Sequence, residues 1–289
     1  MIRTLALLVS GLTLTTCLHT EAQQEVQPIE MGTLPMEVDE SSGLAAASVT
    51  SLWTLNDHGG KAEIYEIDIR GELVRTVKLI GVEPEDMEDM AQDEQGNLYL
   101  ADTGNNKQKR DRLSIYKLNV ADITGDSVRP EVIEFVLPDD GLNSECHYDF
   151  EAMTWSRNKL YIFSKDRCDE KDNSLMLYSL PDAAGLHTAD FIGEFFWEDP
   201  DLNIKITSAD IGVDGRKLAL LSNDALHFFF AYKKDEFFDG AYRYFPLKKS
   251  RKEALIHMTE CDLYISEESS KGKKGRLWKL NLCNINWKD

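Results

Sequence analysis

The stretch Glu85-Asp86-Met87-Glu88-Asp89-Met90-Ala91, followed by Gly96-Asn97-Leu98-Tyr99-Leu100-Ala101-Asp102, decides the reading of this chain because it recurs. Ser41-Ser42-Gly43-Leu44-Ala45 stands before Ser51-Leu52-Trp53-Thr54-Leu55-Asn56-Asp57 in the same way, and Phe150-Glu151-Ala152-Met153 before Lys159-Leu160-Tyr161-Ile162-Phe163-Ser164. Two weaker copies start at Thr207-Ser208-Ala209-Asp210-Ile211 and Lys252-Glu253-Ala254-Leu255. In every copy a Ser or Glu lies 9 or 10 residues before the leucine of the second run: Ser42, Glu88, Glu151, Ser208 and Glu253. Repeats of about fifty residues are the signature of propellers and solenoids.

Each repeat continues into a third short run and the first four into a fourth, such as Leu113–Leu118 and Val132–Leu137 in the second. These runs alternate apolar with polar residues and are rich in Val, Ile, Tyr and Phe, so they read as strands. No helix-length 3.6-residue pattern appears after the N-terminal segment. Four-stranded units repeated radially predict an all-β, five-bladed β-propeller. The fifth repeat stops after three strands, near Leu282, so the Val26–Met36 region is expected to supply the missing strand of the last blade and leave no orphan edge.

With 289 residues, 42% of them hydrophobic, the chain is long enough for a large core. Met1-Ile2-Arg3 and the apolar run Leu5–Leu14 fit a secretory signal, too short to span a bilayer. It ends either at residue 22, leaving 23–289 as the propeller, or before a lipidated Cys17. Both routes imply a secreted, periplasmic or outer-membrane-anchored bacterial protein, with no transmembrane segment and expected to be a monomer. Four further cysteines fit disulfides in an oxidising compartment. In a propeller, Cys146 and Cys168 both fall on the face carrying the inter-blade loops, here called the top, and Cys261 and Cys283 on the bottom. The expected pairs are therefore 146–168 and 261–283. A net charge of −19 argues against nucleic acid as a partner.

The first strand of each blade lines the axis, so Ser42, Glu88, Glu151, Ser208 and Glu253 should converge there. Crowded carboxylates need protons, a basic partner or a metal. Hard oxygen donors without imidazole or thiolate point to Ca²⁺, which takes six to eight oxygens. A fold-level alternative is that these side chains cap backbone amides at the channel mouth.

The order of Ser and Glu around the ring resembles that of the soluble calcium-activated nucleotidases (apyrases), five-bladed propellers with an axial calcium. The segments Glu40–Leu44, Leu55–Gly60, Asp86–Ala91 and Asp102–Asn106 are similar to secreted bacterial propellers of the SdiA-regulated-like or phytase-esterase-like kind. The resemblance implies a five-bladed propeller with a calcium ion on its axis, held by one inward residue per blade. The acidic and arginine segments that hold nucleotide in the apyrases are not found in this chain.

Around the mouth, Asp57, His58, Asp102, Asn105 and Lys165 are candidate ligand-binding residues for an anionic small molecule or an extracellular partner, and His147 is a further proton donor or acceptor. The top loops also gather Lys248, Lys249, Arg251 and Lys252, and Lys271, Lys273, Lys274 and Arg276. No nucleophile-elbow, P-loop or zinc-protease motif appears. Two functions remain open on this reading: a ligand- or partner-binding module, or a calcium-dependent hydrolase of phosphate or other anionic esters.

Overall fold

The computed structural model describes residues 26–57, 61–107, 109–138, 149–165, 174–197 and 205–287. Strands make up 59% of it, arranged as five blades of a propeller. The innermost strands are Ser41–Ser48, Met87–Gln92, Phe150–Ser156, Ile206–Ile211 and Lys252–His257. Each touches the next in ring order, and the fifth touches the first, which closes the ring. The expected closure is present: Ile29–Thr33 pairs antiparallel with Arg276–Asn281 as the outer strand of blade five. The short helical segments are single 3₁₀ turns.

Alternation along the strands puts apolar side chains on both faces of each blade, so the core lies between blades. Tyr99, Ile115 and Phe135 of blade two pack with Phe150, Met153 and Ile162 of blade three. Tyr161 and Phe163 of blade three pack in turn with Leu218 and Phe229 of blade four. Trp53, Tyr161, Phe163 and Phe229 are essentially shut off from solvent. A buried side chain of that size contributes roughly 1.5–3 kcal/mol.

A second device, not visible as a repeat in the sequence, ties the blades at their outer edges. The connection after the third strand of each blade laps over the blade before it. From blade two, Ser127–Val128 pairs parallel with Leu73–Leu79 of blade one. From blade three, Gly185–Thr188 pairs parallel with Glu131–Val136 of blade two. Blade four uses rings instead: Phe237 packs edge-on against Tyr161, and Phe238 against Phe195, both of blade three. Blade five sends Trp287 among Phe228, Phe230 and Phe245 of blade four. At the closure, a Cβ at Gly32 would lie 1.9 Å from the carbonyl oxygen of Arg70, so only glycine lets the blade-one turn approach. Covering edge strands this way removes templates for unwanted pairing.

Cys261 and Cys283 form the expected disulfide across a separation of 22 residues. Cys146 and Cys168 lie outside the described residues, as do the signal region, Cys17, His58 and His147.

Candidate functional site: two layers on the propeller axis

The innermost strands share a fault in register at one level. Pairing skips a residue between Ser42 and Leu44, Met87 and Asp89, Phe150 and Ala152, Ile206 and Ser208, and Lys252 and Ala254. A bulge adds local twist and re-aims the side chains beside it. Here it creates two stacked layers at the channel.

The upper layer, read from the register, is Ser42, Glu88, Glu151, Thr207 and Glu253. In blade four Thr207 occupies this level, and Ser208 sits one residue deeper. Two residues earlier stand Glu40, Asp86, Asp149, Lys205 and Arg251, acidic in blades one to three and basic in blades four and five. Immediately after the second strands come Asp57, Thr103, Lys165, Asn223 and Glu268, which rim the same mouth.

These three rings build the candidate site. Ligand atoms of Asp57, Asp86 and Glu88 lie within 4.8 Å of one another, and so do those of Glu88, Asp149 and Glu151. Glu88 belongs to both groups and is only 4% exposed. Among the described residues, no donor reaches its carboxylate; the hydroxyl of Ser42 donates to its backbone carbonyl instead. Burial, then the charges of Glu151 and Asp57, push the Glu88 pKa well above the ordinary carboxylate range. Gly104 completes the cradle: a Cβ there would fall 2.2 Å from Glu88 Oε1 and 2.5 Å from Asp86 Oδ2. A glycine is needed for backbone to come so close to two carboxylates. The donor set is all hard oxygen with excess negative charge, so the two groups could hold a metal ion.

The remaining candidates take different places. Lys165, expected at the mouth, reaches inward and ion-pairs with Glu151, so the carboxylates do have one basic partner, supplied from outside the innermost strands. Glu253 receives Asn223 Nδ2 at 3.4 Å, and burial raises its pKa. Glu268, whose pKa burial and Glu253 push up to about 8 despite the Arg251 guanidinium, stands on the same side. Asp102 and Asn105 shape the loop beneath the cluster. Asp102 accepts the backbone N–H groups of Glu85 and Asp86 and the Arg110 guanidinium at 2.9 Å, and the N–H of Asn105 donates to Asp149 at 2.8 Å. Both thus orient the Asp-x-Glu pairs, Asp86-Met87-Glu88 and Asp149-Phe150-Glu151. That shared spacing was the signal by which Asp86 and Asp149 were readable.

The lower layer is Gly43, Asp89, Ala152, Ser208 and Ala254, four small residues and one acid. Asp89 fills the space they leave. Its Oδ1 accepts from Met90 N–H at 2.8 Å and Ser208 Oγ at 3.1 Å, and its Oδ2 from Met153 N–H at 2.8 Å and Ala209 N–H at 3.1 Å. Donors from blades two, three and four therefore meet on one carboxylate. Ser208 in turn accepts the N–H of Leu255 of blade five. Burial pushes the Asp89 pKa upward and these hydrogen bonds pull it back. Four donors saturate the four acceptor sites of an ionised carboxylate. Gly43, at φ +71°, belongs to the same fit: a Cβ would sit 2.6 Å from the backbone nitrogen of Met90.

Below Asp89 the channel opens into a bottom cavity of about 1170 Å³ with Asp210 and His257 in its wall. Asp210 Oδ2 accepts both the His257 N–H at 2.7 Å and its ring Nδ1 at 2.9 Å.

No protein-family model matches this chain, and neither does any curated protein. Among solved structures, it is similar to the PQQ-bound aldose sugar dehydrogenase of Streptomyces coelicolor. That match is 10% identical, covers 89% of this chain and 98% of that one, and has a TM-score of 0.50. A gluconolactonase from Xanthomonas campestris matches at 13% identity, over 83% of this chain and 71% of that one, with a TM-score of 0.45. The Malassezia sympodialis allergen Mala s 1 matches at 14% identity, over 86% and 80%, with a TM-score of 0.48. At 10% identity, the first of these matches bears on the fold alone.

Proposed function

We propose that this chain is a calcium-binding β-propeller, secreted or lipid-anchored, that engages a ligand or partner through the top mouth of its channel. The observation that carries the reading is Glu88: a buried carboxylate with no donor among the described residues, shared by two acidic clusters. Asp57, Asp86, Asp149 and Glu151 would hold the ion with it, and Ser42 and Glu253 border the same level. Ser208, engaged to Asp89 in the layer beneath, would support the site from below. The bottom disulfide fits an oxidising compartment and thus export. When bound, calcium would neutralise the cluster and offer a Lewis-acid position to an anionic group.

A second reading, a calcium-dependent hydrolase of phosphate or other anionic esters, is favoured by one observation. Lys165 and Glu268 put an ammonium and a carboxyl of raised pKa on the rim of the cluster, groups able to move a proton.

Melting curves with calcium and with chelator test the first reading. Calcium at a hundredfold excess over its dissociation constant should stabilise the fold by about 2.7 kcal/mol. An unchanged melting temperature in chelator would remove the calcium site. Turnover of phosphate esters that depends on calcium and is lost in Lys165→Met would move the assignment to the second reading.

A further inference from the structure

The basic loops singled out in the sequence come together away from the axis. Between blades four and five lies a cavity of about 580 Å³. The inter-blade loop contributes Lys248, Lys249 and Arg251 to its wall, and the first residue of the innermost strand of blade five adds Lys252. The facing loop of blade five adds Lys271, Lys273 and, at the start of the next strand, Arg276. Seven of the 32 lysines and arginines of a chain with net charge −19 thus surround one cavity. A single acid, Glu267, shares the wall, and its Oε2 already accepts Trp278 Nε1 at 3.0 Å.

Two features distinguish this crevice from a solvated lysine face. Lys252 is 4% exposed, and its ammonium donates to the Lys248 carbonyl and, at 2.6 Å, to Ser250 Oγ. An ammonium has three donors, so one remains beyond these two. The floor is apolar, formed by Val26, Pro28, Leu247 and Trp278. Arg251 and Arg276 are ion-paired with Glu268 and Glu30, whereas Lys248, Lys249, Lys271 and Lys273 form no ion pair among the described residues, so their like charges repel one another. The volume lies in the range of small-molecule sites, which combine an apolar lining with a few charged groups.

We propose that the crevice between blades four and five is a binding site for a small organic polyanion, a ring or short carbon skeleton bearing two or more phosphate or carboxylate groups. The anionic oxygens meet the two basic loops, and the skeleton rests on the Trp278 floor. This site is separate from the acidic clusters on the side of blades one to three. The mouth is already polarised that way, with Lys205 and Arg251 where the other blades carry acids.

Calorimetric titration of the whole protein, stripped of calcium and at low ionic strength, tests the proposal. The probes are tripolyphosphate and benzene-1,3,5-tricarboxylate, which distinguish phosphate from carboxylate sources. Binding of at least one probe near one per chain is expected. It should weaken at least tenfold in the exposed double variant Lys249→Gln/Lys273→Gln. The control Lys78→Gln/Lys233→Gln, with the same change in charge, should leave it within twofold. Absence of binding by both probes overturns the proposal, as does an equal loss in the control. Binding that appears only when calcium is added would assign the anion to the axial cluster and overturn it too. So would retention of binding by anionic phospholipid vesicles alone.

Discussion

Glu88 and Asp89 are consecutive carboxylates at the same axis, yet their surroundings differ in kind. Asp89 is met by four donors from three blades. Glu88 is met by other carboxylates and by no hydrogen-bond donor among the described residues. The bulge in the first strand of blade two sends the two side chains into different layers. One layer is complete as protein; the other is short of positive charge. Burial of an acid says little until its donors are counted: the same low dielectric makes a satisfied carboxylate a clamp and an unsatisfied one a group that could hold a cation.

The largest expected effect tests the complete layer. Asp89→Asn keeps the shape but turns one oxygen into an NH₂ that faces either the Met153 and Ala209 N–H groups or the Met90 N–H and the Ser208 hydroxyl, so at least one backbone donor is left unsatisfied whichever way the amide is placed. Leaving buried donors unsatisfied around a lost charge should cost about 3–5 kcal/mol, read by denaturant unfolding. A loss below about 1 kcal/mol would break the comparison, because Asp89 would then not be the clamp its contacts describe.

Much of this was legible before any coordinates. Blade count, closure by the N-terminal strand and the bottom disulfide follow from a period, a missing fourth run and the alternation of strand direction. The axial layers were half legible. Strand alternation alone predicts one inward residue per blade, but the bulge brings two successive residues to the axis, so the repeat series contains no place for Asp89 and sets Ser208 level with Glu88. A bulge depends on which backbone pairs are skipped, and nothing in residue type announces that. Lys165 was missed as a partner of Glu151 for a related reason: it lies 14 residues further on, after the second strand, and a long side chain lets it act on a layer to which it does not belong. The edge-covering connections were illegible because the same topological task falls to two short strands, a pair of phenylalanines, a tryptophan and a glycine-dependent turn.

The next effect in size sharpens the comparison by lying outside it. Cys261 and Cys283 join the turn after the first strand of blade five to the 3₁₀ turn after its third, far along the chain from both axial layers. The double change Cys261→Ser/Cys283→Ser should lower stability by roughly 2–4 kcal/mol. Because neither layer is touched, the calcium-induced rise in melting temperature should stay the same. If that rise shrinks in step with stability, a reduced calcium response in any axial variant would report general loosening rather than a lost ligand.

The smallest change in stability makes the sharpest test, because its sign should reverse with the metal. Glu88→Gln is the counterpart of Asp89→Asn one residue earlier, with nearly the same loss of charge and shape. In calcium-free protein at neutral pH the native state holds Glu88 against burial and against Glu151 and Asp57. Both effects raise its folded pKa above the unfolded value. The native state therefore binds the proton more tightly than the unfolded state, and stability is lost as pH rises between the two values. The amide carries no charge and escapes that loss, so the calcium-free variant should be at least as stable as wild type, with a flatter pH dependence above the ordinary carboxylate range. With calcium present the order should invert: wild type gains from the ion, while the variant has lost the one ligand common to both clusters. Unfolding curves of the two proteins, each with calcium and with chelator, give all four values. Destabilisation of the chelated variant on the scale of Asp89→Asn would mean that Glu88 has protein donors of its own, and the distinction between the two layers would fail.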